Sequence, residues 1–185
     1  MALGSPQFIF FKRKKLLVNL PDRIILMGAM GAGKTTIGNI LASHLGAPYL
    51  DNDDELALLT GMTPEQLSTI GVDELHRLED LYLLNLSRRS APWIAGVAGS
   101  VVDNSENFPL MQPIFSIYLY RSIESLLINT GKTGVGRQAL SFGAQEIIRT
   151  RFERRDPRYR QLASLEVAIS DDPLADVAKI IAAIK

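Results

Sequence analysis

Cysteine is absent from the 185 residues, which excludes disulfides and zinc-thiolate sites and fits a reducing compartment such as the cytoplasm. Net charge is absent too: 20 basic residues balance 20 acidic ones. No global field therefore recruits nucleic acid or an anionic membrane, and neither is expected as a partner. No apolar run approaches the length of about 20 residues that a membrane span requires. A disordered composition is also missing, because 46% of residues are hydrophobic and 22% charged. What remains is an ordinary globular chain, long enough for one domain with a substantial core.

The first twenty residues stand apart. Phe8-Ile9-Phe10-Phe11 precedes Lys12-Arg13-Lys14-Lys15, the reverse of the charge-then-apolar order of a signal peptide. Residues 1–20 read as an extension or linker outside the core fold, and the basic run as a solvated one. The core domain is expected to span residues 21–185.

One stretch organises that domain. Ile24 to Met27 is a short apolar strand; Gly28-Ala29-Met30-Gly31-Ala32-Gly33 is a glycine-rich turn; Lys34-Thr35-Thr36 opens a helix. The spacing from Gly28 to Gly33, Lys34 and Thr35 is that of a P-loop. Glycines 28, 31 and 33 let backbone N–H groups crowd round phosphate oxygens, and the helix adds the positive end of its dipole. Gly28, Met30, Gly31, Ala32, Gly33, Lys34, Thr35 and Thr36 are thus expected to bind nucleotide phosphate. Lys34 reaches the β/γ-phosphates, and the Thr35 hydroxyl is placed for Mg²⁺.

Further along, strands and helices alternate. Strands are expected at Arg23–Met27, 48–50, 92–96, 114–119 (central, because nearly all apolar) and 167–169. Helices are expected from Lys34 to Leu45, Asp54 to Thr60, after the Thr63-Pro64-Glu65-Gln66 cap, Asp73 to Arg89, from the Ser122 cap to Asn129, Gln145 to Arg155 (stopped by Asp156-Pro157), and from Pro173 onwards. Residues 129–143 are glycine-rich and polar, and read as a lid carrying Arg137. The alternation gives an α/β fold, a five-stranded parallel sheet with helices on both faces, whose ligands sit beyond the carboxyl ends of the strands. The P-loop, Asp51/Asp53, Gly96–Ser100 and the lid all fall on that rim.

Phosphoryl transfer needs charge neutralisation and an oriented attacking oxygen. Lys34, Mg²⁺ and a mobile Arg137 can supply the first. Asp51 and Asp53, two residues apart in extended chain, share a side: one near the metal, the other accepting a hydrogen bond from the acceptor hydroxyl. His44, near the apolar edge of its helix, reads as packing rather than a ligand. The reading is an ATP-dependent kinase; a P-loop hydrolase or GTPase is the weaker alternative, since no guanine signature of the Asn/Thr-Lys-x-Asp type occurs.

The P-loop, Tyr49-Leu50-Asp51-Asn52-Asp53 and Glu153-Arg154-Arg155-Asp156-Pro157-Arg158-Tyr159 resemble the shikimate kinases in sequence, order and spacing, from about Arg23 to the end. The resemblance implies a P-loop kinase with a substrate segment and a lid. It further implies phosphorylation of the 3-hydroxyl of shikimate by ATP with Mg²⁺, and a monomer. It assigns Asp51 to the metal with Thr35, Asp53 to the substrate hydroxyls and the nucleophile, Arg155 to the substrate carboxylate and Arg137 to the lid. The family's three-glycine run reads here Val97-Ala98-Gly99, so only Gly99 survives to meet substrate, and added side chains are expected to crowd the pocket. Anchored on Glu79, His76 stands where the family has a second carboxylate-binding arginine, with Arg77 adjacent but turned away on the helix. A histidine lacks the bidentate fork of arginine. The family's adenine-flanking arginine is also missing, Ile128 and Asn129 sitting near its place. These departures raise two alternatives: a different hydroxylated acceptor, or a catalytically altered ATP-binding relative with a regulatory role.

Overall fold

The computed structural model describes residues 20–129 and 144–185. The N-terminal extension, except Leu20, and the expected lid with Arg137, except Asn129, lie outside the described residues.

Five parallel strands form one sheet: β1 (Arg23–Met27), β2 (Tyr49–Leu50), β3 (Trp93–Gly96), β4 (Phe115–Tyr120) and β5 (Leu165–Ala168), in the order β2-β3-β1-β4-β5. β1 occupies the middle, paired with β3 on one side and β4 on the other. Ile24, Ile25, Leu26 and Met27 are all fully buried, the reason four consecutive apolar residues stand there: a strand covered on both faces has no side for a polar one. β4, expected to be central, lies one place out, between β1 and β5. It is interior nonetheless, which is all its apolar run requires.

Alternate residues of β1 face opposite cores. Ile24 and Leu26 pack with Ile37 and Leu41 of α1 (Lys34–Leu45) and with Val177, Ile180 and Ile181 of the C-terminal helix (Pro173–Ala183). Ile25 and Met27 pack on the other side with Leu78, Tyr82, Leu83 and Leu86 of the helix Val72–Arg88. Gly46 ends α1 with φ 68°, its N–H donating to the Ala42 carbonyl. Thr63 and Gln66 close a reciprocal capping box at the start of the short helix Pro64–Thr69, as their sequence predicts. In chain order the helices are α1, α2 (Asn52–Thr60), α3 (Pro64–Thr69), α4 (Val72–Arg88), α5 (Phe108–Met111, after a 3₁₀ turn at Ser105–Asn107), α6 (Ile123–Asn129), α7 (Ala144–Leu162) and α8 (Pro173–Ala183). The 3₁₀ turn and α5 are not foreseen by the sequence reading.

Two boundaries differ in ways that matter. α2 begins at Asn52 rather than Asp54, because Asp51 takes the N-cap: its carboxylate accepts the N–H of Asp53 at 3.0 Å. Asp53 is therefore in the first helical turn, not in extended chain, and the period-two argument for the pair does not hold. α7 runs past Asp156-Pro157 to Leu162, with Pro157 inside it. An interior proline costs a helix about 3 kcal/mol. Packing overrides that cost: Tyr159 is fully buried and donates its O–H to the Gly99 carbonyl at 2.7 Å, while Asp156 accepts the Tyr118 hydroxyl at 2.7 Å. The Tyr118 and Tyr159 rings stack with centroids 4.9 Å apart.

Tyr49 sets the spacing between α1 and the sheet. A Cβ on Gly38 would lie 2.0 Å from its ring, and one on Gly96 2.4 Å from its hydroxyl. In an open helix Gly→Ala would stabilise by about 1 kcal/mol. Gly38→Ala instead forces the ring out of its slot, and its expected outcome is a net loss of about 1–3 kcal/mol in urea unfolding. An unchanged midpoint would show that the ring yields freely.

Candidate active site

A cavity of about 690 Å³ opens at the carboxyl ends of β1, β2 and β3. Its nucleotide end is the P-loop. Gly28 has φ 147°, and a Cβ there would press to 2.7 Å from the Leu119 carbonyl, so only glycine fits where β1 leaves the sheet. Gly33, at φ 96°, is the N-cap of α1 and has no side chain to satisfy the first N–H groups of the helix. Those donors, with the helix dipole, are left to an anion. The Lys34 ammonium donates to the carbonyls of Gly28 at 2.9 Å and Ala29 at 3.1 Å, which holds it over the loop. Met30, Gly31, Gly33, Lys34, Thr35 and Thr36 line the cavity; Ala32 is buried beneath it.

The Thr35 hydroxyl donates to Asp51 at 2.7 Å, and the Tyr49 hydroxyl reaches the same carboxylate oxygen at 3.4 Å. Burial, and next to it the Asp51 charge, push the Tyr49 phenol well above its ordinary range, so it remains a neutral donor. Thr35 and Asp51 thus present two hard oxygen ligands side by side at the edge of the phosphate loop. The pair fits Mg²⁺, a hard cation that favours oxygen ligands. Among the described residues no cluster of three or more His, Asp or Glu offers a competing metal cage.

Asp53 lies beside this pair on α2 and lines the same cavity, its carboxylate accepting from the Asn52 amide at 3.2 Å. Beyond it, His76 and Glu79 of α4, Gly99 after β3 and Arg155 of α7 form the other end. Gly99 is tightly enclosed: a Cβ would stand 3.0 Å from the Tyr159 hydroxyl and 3.4 Å from the Gly28 carbonyl. Val97 is fully buried in the core, so only half-buried Ala98 adds an accessible side chain where crowding is expected. Burial, and then Arg155, lower the His76 pKa, which leaves the imidazole neutral near pH 7. Arg77 does not line the cavity; it is exposed and forms a fork with Glu74 at 2.6 and 2.8 Å.

Two residues that sequence reading did not single out change this end. Asp103 accepts from Arg155 at 2.6 and 3.0 Å and from Arg154 at 2.7 Å. Burial opposes its ionisation, yet the two arginines outweigh it and hold the carboxyl below the usual range. Arg151, one turn before Arg155, lines the cavity with Ile148, Phe152 and Tyr159. The spacing 148, 151, 152, 155, 159 is one face of a helix, and that periodicity was available in the sequence.

Glu79 is buried among these groups, its carboxylate accepting the Ser100 hydroxyl. Burial pushes its pKa from 4.5 up to about 7, despite the counteracting Ser100 bond and Arg155 charge. An acid raised in the folded state holds its proton after the unfolded chain has lost it. Stability therefore falls as pH rises from about 4.5 to about 7, by on the order of 3 kcal/mol in all, and the cost is complete above that window. Glu79→Gln is expected to flatten this slope in urea unfolding between pH 4.5 and 7; an unaltered slope would assign the pH dependence to other groups.

A family model described as shikimate kinase matches residues 30–185. A shikimate kinase of Thiobacillus denitrificans is 31% identical over 162 residues, spanning 86% of this chain and 88% of that protein. Among solved structures, a shikimate kinase from Acinetobacter baumannii in complex with shikimate superposes with a TM-score of 0.79 at 29% identity, covering 90% of this chain and 94% of that one. A gluconokinase from Sinorhizobium meliloti shares the fold at 17% identity, with a TM-score of 0.58 and coverage of 89% and 92%. The five-stranded parallel sheet, the P-loop at its middle strand and these matches lead to one conclusion: the chain belongs to the shikimate kinase family.

Proposed function

We propose that this chain transfers the γ-phosphoryl group of ATP to a hydroxyl of shikimate, the 3-hydroxyl being the expected acceptor. The observation that carries the reading is the single cavity in which Lys34, Thr35, Asp51 and Asp53 sit at one end and His76, Glu79 and Arg155 at the other. Phosphate and a hydroxylated acid can lie in it together, as in-line transfer demands.

Each residue has a task. The P-loop N–H groups and Lys34 bind the β/γ-phosphates and offset the charge that spreads over the migrating group. Thr35 and Asp51 would hold Mg²⁺, which would supply neutralisation of phosphate charge. Asp53, fixed on the first turn of α2, accepts the hydrogen bond of the attacking hydroxyl and takes its proton as the new P–O bond forms and the bond from the γ-phosphorus to the β–γ bridging oxygen breaks, releasing ADP. Arg155 keeps its Nη1 edge 3.5 Å from the Cβ position of Gly99, facing the cavity while the rest of its fork binds Asp103. Arg137 completes the assignment as the lid cation. The enzyme is read as a cytoplasmic monomer, with which the cysteine-free, charge-balanced composition is compatible.

ADP release with Mg-ATP is expected to depend on shikimate, and Lys34→Ala or Asp53→Asn to lower kcat by about 100-fold or more. Shikimate-independent ADP release, or full turnover in both variants, would overturn the assignment.

A further inference from the structure

Three arginines line the cavity among the described residues: Arg121, Arg151 and Arg155. Arg121 is engaged by Asp171 at 3.0 Å and by the Ser170 carbonyl at 2.6 Å. Arg155 gives two of its donors to Asp103. Arg151 has no hydrogen bond or ion pair among the described residues, although it is half buried. Its surroundings disfavour an unpaired cation. Burial opposes the charge, Arg155 and Arg154 repel it, and Asp103 and Glu79 compensate only in part; together these hold its pKa below the ordinary arginine value. A guanidinium kept there without a protein partner is a site for an anion from outside.

The neighbours say which anion. The charges that weigh most on Arg151 are those of Arg155, Arg154, Asp103 and Glu79, of which Arg155 and Glu79 line the acceptor end of the cavity, and Arg151 in turn acts on His76 there. His76 cannot offer a fork, and Arg155 has its Nε–Nη2 edge engaged by Asp103. We infer that Arg151 is the residue that grips the carboxylate of the acceptor, reaching it from the turn of α7 before Arg155, with His76 and the remaining Arg155 edge beside it. The acceptor is then a hydroxylated carboxylic acid. The inference rests on the kinase reading above and adds to it the group that selects an acid over a neutral polyol.

The test measures ADP release by the full chain and by Arg151→Leu and Arg151→Lys, with shikimate or its carboxamide as acceptor. Losing a charge-assisted fork is expected to raise the shikimate KM on the order of 10- to 100-fold in Arg151→Leu, while the KM for Mg-ATP stays within about twofold. Arg151→Lys restores part of that loss, because it returns the charge without the fork. With the carboxamide, the full chain and Arg151→Leu should differ by less than about threefold, since the charge that Arg151 binds is gone. A shikimate KM unmoved in Arg151→Leu overturns the inference and leaves the kinase reading standing. A rise in the Mg-ATP KM instead gives Arg151 to the nucleotide phosphates, and also overturns it. No shikimate-dependent ADP release from the full chain overturns the acceptor reading, and this inference with it.

Discussion

Everything in this molecule depends on the burial of β1 between two parallel neighbours. In-register pairing sets Leu26 against Gly96 and Met27 against Tyr118, so the chain leaves β1, β3 and β4 at one edge of the sheet. Parallel pairing turns the carboxyl ends of all these strands towards the same edge. Three otherwise independent segments are thereby brought together: the phosphate loop, the turn to Gly99 and the start of the segment with Arg121. The contact is close enough that a single methyl group at Gly99 would meet the Gly28 carbonyl. The two ends of the cavity share a wall.

The second constraint is α7. One helix carries the anchors that fix it to the sheet (Tyr159, and Asp156 through Tyr118) and, on the same face, the cations that line the cavity. Packing and recognition are thus mechanically one. Arg151 and Arg155 stand on a helix tied to β4 by the stacking of Tyr159 on Tyr118, a contact between segments far apart in sequence. Such anchoring holds the site to the precision that transfer chemistry needs.

Much of this was legible in the residues. The P-loop could be read outright, because its spacing has a mechanical cause, and the alternating strands and helices gave the sheet. Asp51 and Asp53 were found for the right neighbourhood and a wrong local reason: cap chemistry at Asp51, not extended spacing, sets their geometry. Pro157 misled because the intrinsic cost of a proline is local, whereas the contacts of Tyr159 and Asp156 that outweigh it are tertiary. Asp103 was invisible for a related reason. Its importance lies in a pairing across about fifty positions of chain, and no periodicity reports such a contact. Arg151 could have been found, since a helical wheel places it with Arg155, but a basic helix draws attention to its total charge and not to its inward face.

The sharing of Asp103 among Arg154 and Arg155 makes divergence at this site depend on the order of events. Removing Arg155 first leaves Asp103 paired with Arg154 and takes a cation out of the cavity, which weakens the hold on an acid. Removing Asp103 first releases a complete guanidinium fork into the cavity, which strengthens the hold on an acid. The same two substitutions, taken in opposite sequence, therefore pass through intermediates of opposite fitness for an acidic metabolite. Drift towards a neutral acceptor runs uphill along one route and is deferred along the other, so the ion pair acts as a ratchet on specificity.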